Sequence, residues 1–250
     1  MAVALVTGAA RRVGAAIARH LANEGHKVIL HARKDDENLQ ATLAVIQADG
    51  NDASMVLADL ADRDAVADLI LRASEIAGAP IDLLVNNAST FENDDLWTAT
   101  HDSWDFHMKV NLEAPFFLSQ QFAAALPPEN AGLIVNIIDQ RVWKLNPTFM
   151  TYTVSKSALW TLTQTMAQAL APRIRVNAIG PGPVFTSIHQ TDDSFAAEAG
   201  NVPLGKGPDA KEIARAVSFL LETPSMTGQM MALDGGQHLA WQTPDLTSQE

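Results

Sequence analysis

Seven short runs of aliphatic residues recur along the chain at residues 3–6, 27–30, 54–57, 82–85, 133–138, 175–178 and 230–233. The runs are apolar throughout rather than alternating with polar residues, so as strands they would have to be covered on both faces. The segments between them, 15–23, 36–48, 63–76, 101–125, 152–171 and 211–221, place apolar residues at three- and four-residue spacings, the period of amphipathic helices. Strand and crossover helix in strict alternation leave few folds open. The pattern predicts an α/β chain of Rossmann type, doubly wound, with a seven-stranded parallel sheet between two helix layers.

A chain of 250 residues with 47% hydrophobic content can bury one large core, so residues 1–250 are read as a single domain. The excess of 29 acidic over 17 basic residues, a formal charge of -12, repels phosphate backbones and anionic lipid and argues against nucleic-acid or membrane partners. Without cysteine the chain has no disulfide and no thiolate nucleophile, as suits a reducing cytoplasm. Met1 leads directly into a strand-like segment and a glycine turn, so no signal peptide is expected. The strand-helix rhythm breaks between Pro181 and Pro208. That long loop, about 183–207 with Phe185, Ile188 and Phe195 among polar residues, reads as a substrate lid. Residues 237–250 read as a C-terminal tail.

The first strand runs into Thr7-Gly8-Ala9-Ala10-Arg11-Arg12-Val13-Gly14 and then a helix. Backbone N–H groups at such a helix start can receive a dinucleotide pyrophosphate, although any tight strand-to-helix turn also selects glycine. An acidic residue ending the second strand would bind an adenine ribose hydroxyl. The chain instead reads Leu30-His31-Ala32-Arg33-Lys34, and cations there favour the 2'-phosphate of NADP, tempered by Asp35 and Asp36. Tyr152 and Lys156 stand four residues apart on a helical segment, one turn apart on the same face. An ammonium beside a phenol stabilises phenolate and lowers its pKa, so the two can act as a unit.

The turn from Thr7 to Gly14, Asn86-Asn87-Ala88, Asn111, the Tyr152 to Lys156 pair, Arg175-Val176-Asn177 with Gly180-Pro181-Gly182, and Asp234-Gly235-Gly236 together resemble the short-chain dehydrogenase/reductase family over nearly the whole chain. The resemblance implies NADPH as cofactor and hydride transfer as chemistry. Tyr152 would be the catalytic acid. Lys156 would bind the nicotinamide ribose and lower the phenol pKa, and Asn111 would help hold a proton-relay water. Gly8, Arg11, Arg12, Val13 and Gly14 would carry the pyrophosphate, and His31, Arg33 and Lys34 the adenosine phosphate. Asp59 and Leu60 would flank adenine, Asn87, Ala88 and Ser89 would line the cofactor's path, and Pro181 with Gly182 would support the nicotinamide.

Two departures from the general family pattern point to substrate. Arg12 stands where the glycine-rich turn usually has a central glycine, and Asp139, thirteen residues before Tyr152, replaces the usual serine. An ionised carboxylate would repel a developing alkoxide, whereas a protonated one could donate a hydrogen bond and would suit proton traffic on a nitrogen heterocycle. Both departures, with Asn86-Asn87-Ala88-Ser89-Thr90-Phe91, resemble the pteridine reductases. In that subgroup Phe91 would sandwich a pterin against nicotinamide, Ser89 would touch cofactor and substrate, and Arg12 would touch pterin and phosphate.

The expected activity is NADPH-dependent reduction of a dihydropteridine, with dihydrofolate a further candidate. A carbonyl reductase acting on a ketone or 3-oxoacyl substrate, and a non-catalytic NADPH-binding regulator, stay open. Relatives pair the helices at 101–125 and 152–171 across symmetric interfaces, which implies a homotetramer. No metal site is expected: the seven histidines offer no ligand pair on one helix face, and Glu92, Asp94 and Asp95 read as a surface acidic loop. The five tryptophans read as core or subunit interface.

Overall fold

A computed structural model describes residues 1–185, 191, 197 and 199–241. Ile188 and Phe195 of the expected lid, and residues 242–250 of the expected tail, lie outside the described residues. The seven strands are β1 (Val3–Val6), β2 (Lys27–Ala32), β3 (Ala53–Leu57), β4 (Leu83–Asn86), β5 (Gly132–Ile137), β6 (Ile174–Pro181) and β7 (Met230–Leu233). They form one sheet in the order β3-β2-β1-β4-β5-β6-β7, and every pairing is parallel.

Successive strand residues feed opposite faces of this sheet. Ala4, Val6, Val28, Leu30, Val85 and Val135 pack on one side with Ile17 and Leu21 of helix α1 (Arg12–Asn23) and with Val217 and Leu220 of α8 (Ala210–Glu222). Leu5, Ile29, Leu84 and Ile134 pack on the other. There they meet Leu69 and Ile70 of α4 (Leu69–Ala77), Leu118 and Phe122 of α6 (Ala114–Ala125) and Met166 of α7 (Met150–Leu170). Two buried faces are why the strands read as unbroken apolar runs. Helix α2 (Glu37–Ala48) follows β2, and Asp36 caps it by accepting the Leu39 N–H at 3.0 Å.

Two expected helices are divided. The stretch 63–76 is a short α3 (Arg63–Val66) followed by α4. The stretch 101–125 is α5 (His101–Met108), a π-helical turn (Lys109–Glu113) and α6. Pro115, near the start of α6, has no N–H to donate, and the wider turn before it brings Asn111 inward, fully buried. The tryptophans are not core. Trp97, Trp104, Trp143 and Trp241 are exposed and Trp160 is half-buried, because apolar strand and helix residues already fill both layers. No described helix is long and apolar enough to cross a membrane.

The C-terminal ends of β1, β2 and β3 are tied together by a buried histidine. His31, at the end of β2, accepts the Gly8 N–H at its Nδ1 (3.2 Å), which leaves the proton on Nε2 to donate to the Ala58 carbonyl at 3.1 Å. Burial of the ring lowers its pKa from 6.5 to about 4. The native state therefore resists a proton that the unfolded chain accepts. His31 contributes its full stability above pH 6.5, and that contribution is lost as pH falls toward 4. The span corresponds to about 3 kcal/mol. Urea unfolding of wild type and His31→Gln between pH 7.5 and 4 should show a steeper loss of stability in wild type; parallel curves would contradict the assignment.

Candidate active site

A cleft of about 980 Å³ opens at the C-terminal edge of the sheet, where β1 lies between β2 and β4 and the chain's direction of winding reverses. Crevices at such switch points are where open parallel sheets bind ligands. One end is built by the turn after β1. Gly8 has φ +65°, and a Cβ there would come within 2.9 Å of the Ala88 Cα. A Cβ on Gly14 would lie 2.2 Å from the Gly8 carbonyl oxygen and 2.5 Å from Asn87 Nδ2. Helix α1 then starts from extended Arg11 with no side chain capping it and no acidic residue in its first turn. A tight backbone cradle with unneutralised helix N–H groups fits an anionic pyrophosphate.

Arg12 has the left-handed φ of 57° that a glycine would accept freely. That conformation costs a side-chain-bearing residue about 1–2 kcal/mol. Its guanidinium donates to the Phe185 carbonyl at 3.3 Å and lies 5.3 Å from the Phe185 ring, so it bridges the turn to the start of the loop after β6. Val13 and Arg11 also line this end.

Arg33 and Lys34 are exposed and line the same cleft, as do Asp59 and buried Leu60. The two neighbouring carboxylates have other work: Asp36 caps α2, and Asp35 accepts Gln40 Nε2 at 2.6 Å. His31 lines the cleft too, but both of its ring nitrogens are spent on Gly8 and Ala58.

The loop after β4 forms the middle wall. Thr7 Oγ1 accepts the N–H groups of Asn87 (2.9 Å) and Ala88 (3.0 Å), and Asn87 Nδ2 donates to the Thr7 carbonyl at 2.8 Å. Asn111 pins the next residues. Its Oδ1 accepts the Thr90 N–H at 2.8 Å and Ser89 Oγ at 3.1 Å, while Nδ2 donates to the Thr90 carbonyl and to Ser155 Oγ, each at 3.1 Å. Pro181 ends β6, and a Cβ on Gly182 would strike the Asp234 Cα at 2.8 Å.

Asp139, Tyr152 and Lys156 meet at the centre. Tyr152 Oη donates to Asp139 Oδ2 at 2.9 Å, and Asp139 Oδ1 accepts the Arg141 N–H at 2.8 Å. Burial raises the Asp139 pKa. Burial, followed by the neighbouring Asp139 charge, pushes the phenol well above its ordinary value. Lys156 Nζ donates to the Ile137 carbonyl at 2.9 Å and lies 5.8 Å from the Tyr152 ring centroid; burial lowers its pKa to about 8. The charge that governs Tyr152 in this structure is Asp139, which favours the protonated phenol.

Aromatic rings close the far end. Phe91 stacks on Phe149 with centroids 4.2 Å apart and planes at 5°, and meets Tyr152 edge-on at 4.8 Å. The Arg141 guanidinium lies 5.2 Å from the Phe149 ring and donates to Asn146 Oδ1 at 2.9 Å. Phe149 and Arg141 were not expected at the site; their only signal is their place between Asp139 and Tyr152. Asp94 was expected in a surface loop and is instead buried, with an oxygen accepting the Thr151 N–H at 3.0 Å. Glu92 beside it is exposed.

A family model described as short chain dehydrogenase matches residues 2–196. The structure is similar to FolM alternative dihydrofolate reductase 1 from Brucella suis, solved in complex with NADP, with a TM-score of 0.94 and 48% sequence identity, covering 98% of each chain. Gluconate 5-dehydrogenase of Gluconobacter oxydans strain 621H is 33% identical over 240 residues, 93% of each chain. The 3-oxoacyl-[acyl-carrier-protein] reductase FabG of Staphylococcus epidermidis strain RP62A is 30% identical over 241 residues, 94% of this chain and 98% of that one. With the glycine turn, the switch-point cleft and the central tyrosine and lysine in place, the chain belongs to the short-chain dehydrogenase family.

Proposed function

We propose that this protein is an NADPH-dependent reductase of dihydropteridine-type substrates, dihydrofolate among them. The hydrogen bond from Tyr152 to half-buried Asp139 carries the reading. A carboxyl in that place, with its pKa raised, makes Asp139 and Tyr152 a proton-holding pair matched to a ring nitrogen rather than to a carbonyl oxygen that becomes an alkoxide. The similarity to the NADP-bound Brucella suis dihydrofolate reductase supports the same choice of cofactor and substrate class.

NADPH supplies the hydride when bound. The cradle of Gly8, Val13 and Gly14, with Arg11 and Arg12, holds the pyrophosphate, and Arg33 and Lys34 hold the 2'-phosphate. Asp59 and Leu60 flank the adenine; His31 serves by fixing Gly8 rather than by touching the cofactor. Lys156 binds the nicotinamide ribose, and Asn87, Ala88, Pro181 and Gly182 wall its path. Tyr152 donates the proton, and Asp139 keeps the phenol protonated and oriented. Phe91 packs against the flat heterocycle, Ser89 and Arg12 contact it at its edges, and Asn111 holds the wall and the relay water. Exposed Trp104, Phe117 and Val154, on α5, α6 and α7, support a homotetramer built on those helices.

The kinship with gluconate 5-dehydrogenase and FabG favours a second reading, reduction of a ketone or 3-oxoacyl group. NADPH consumption with dihydrobiopterin, dihydrofolate and a panel of diketones separates the two; turnover confined to the diketones would reject the pteridine assignment. Tyr152→Phe should lower kcat for every substrate by about 10²–10⁴-fold, the usual span for a lost general acid. Asp139→Ser should retain NADPH binding and lose pteridine turnover, and unchanged pteridine kinetics in that variant would remove Asp139 from the mechanism. Charge-assisted hydrogen bonds contribute about 1.5–3 kcal/mol each. Arg33→Ala and Lys34→Ala should therefore each reduce the preference for NADPH over NADH by at least ~10-fold, as read from the ratio of kcat/KM values.

A further inference from the structure

Helix α7 lacks the means to start itself. Its N-cap is Phe149, with a left-handed φ of 53° and no side-chain acceptor, followed by Met150, Thr151 and Tyr152. The N–H groups of a first helical turn need acceptors from outside the helix. A residue of the loop after β4 supplies two of them. The Asp94 carbonyl accepts the Met150 N–H at 3.3 Å, and Asp94 Oδ1 accepts the Thr151 N–H at 3.0 Å. Asp94 Oδ2 also accepts the Thr151 hydroxyl in a short hydrogen bond and Ser103 Oγ at 3.3 Å.

His107 completes the arrangement and gives it direction. Its Nε2 receives the Glu92 N–H at 3.2 Å, and an amide N–H can only donate, so Nε2 is unprotonated and Nδ1 carries the hydrogen. That hydrogen goes to Thr151 Oγ1 at 2.7 Å, and the Thr151 hydroxyl hydrogen in turn goes to Asp94. Burial lowers the pKa of the imidazole, in keeping with this neutral tautomer. His107, Thr151 and Asp94 are all buried, so water offers none of them a substitute partner.

The chain joins two walls of the site. The loop that carries Asp94 also carries Ser89 and Phe91. The helical turn that Asp94 caps carries Tyr152, whose ring meets Phe91 edge-on at 4.8 Å and His107 at 6.1 Å. We propose that Asp94, with Thr151 and His107, is a positioning assembly that holds Tyr152 and Phe91 in register, so that the proton donor and the substrate-stacking ring move as one body. Asp94 touches no reacting atom; it acts through the start of α7. An ordinary cap would contribute only stability. A positioning assembly must also appear in turnover, because small misplacements of reacting groups cost orders of magnitude.

The proposal rests on the reading of Tyr152 as proton donor, and the test separates the two. Full-length wild type, Asp94→Asn, Thr151→Val, Thr151→Ser and Tyr152→Phe are compared by Tm, by NADPH Kd from nicotinamide fluorescence, and by kcat and KM for dihydrobiopterin. If wild type does not reduce dihydrobiopterin, the same comparison is made with the diketone it does reduce. Asp94→Asn and Thr151→Val should lower kcat at least ~10-fold and raise substrate KM several-fold, with NADPH Kd within about twofold of wild type. Thr151→Ser, which restores the hydroxyl, should restore kcat. A drop in Tm alone, with kcat and KM within twofold in both variants, would overturn the positioning role while leaving Tyr152 as donor. So would a loss of NADPH affinity in step with kcat. Full activity in Tyr152→Phe would overturn the donor reading and the proposal with it.

Discussion

Everything in this molecule follows from the need to cover both faces of one parallel sheet. Parallel strands require crossover helices, and helices on both faces require the winding to reverse once, here at β1, with β2 on one side and β4 on the other. The reversal leaves a crevice at the C-terminal strand ends that no helix among the described residues fills. Most groups assigned to chemistry line it: the glycine turn after β1, the basic pair after β2, the loop after β4, Asp139 after β5 and the Pro181–Gly182 turn ending β6. Tyr152 and Lys156 come from α7, and Asn111 stands behind the wall, fully buried. The same loops that close the fold therefore build the site.

Within that crevice, desolvation is the dominant electrostatic force. It raises Asp139 and Tyr152 and lowers Lys156, so each group is pushed toward its neutral form. A site of this kind holds protons on its acids. A serine in place of Asp139 would hydrogen-bond the phenol without contributing charge, and the phenol would then be governed by burial. The substitution changes the proton inventory of the site while leaving its shape alone, which is how one scaffold can serve both ketones and nitrogen heterocycles.

Local strain marks the same places. Arg12 and Phe149 are the two non-glycine residues with positive φ among the described residues, and both line the cleft. At each, the neighbouring structure holds the backbone where the residue alone would not go. Arg12 reaches to Phe185, and Phe149 is clamped between Phe91 and Arg141. Strained residues that persist along one cleft fit a preorganised site.

The strand runs were legible because a doubly covered sheet imposes apolarity on every strand residue, and β1 and β7 begin and end where the composition changes. The glycine turn and the tyrosine-lysine pair were legible because each answers a local demand of backbone geometry or spacing, whereas Asn111 and Asp139 were picked out only by the resemblance to the family. Asp94 was read as surface because a carboxylate among Glu92 and Asp95 has the local pattern of a solvated loop; only the fold reveals that α7 starts without a cap and takes this one from far away in sequence. The stacking of Phe149 on Phe91 was hidden for the same reason, as was the hydrogen bond from Tyr152 to Asp139. By itself the sequence determined the layers, the turn and the identity of the central residues, since these depend on neighbours along the chain. The protonation of the site and the alignment of its walls were decided by tertiary structure, because burial and distance between remote segments exist only once the chain has folded.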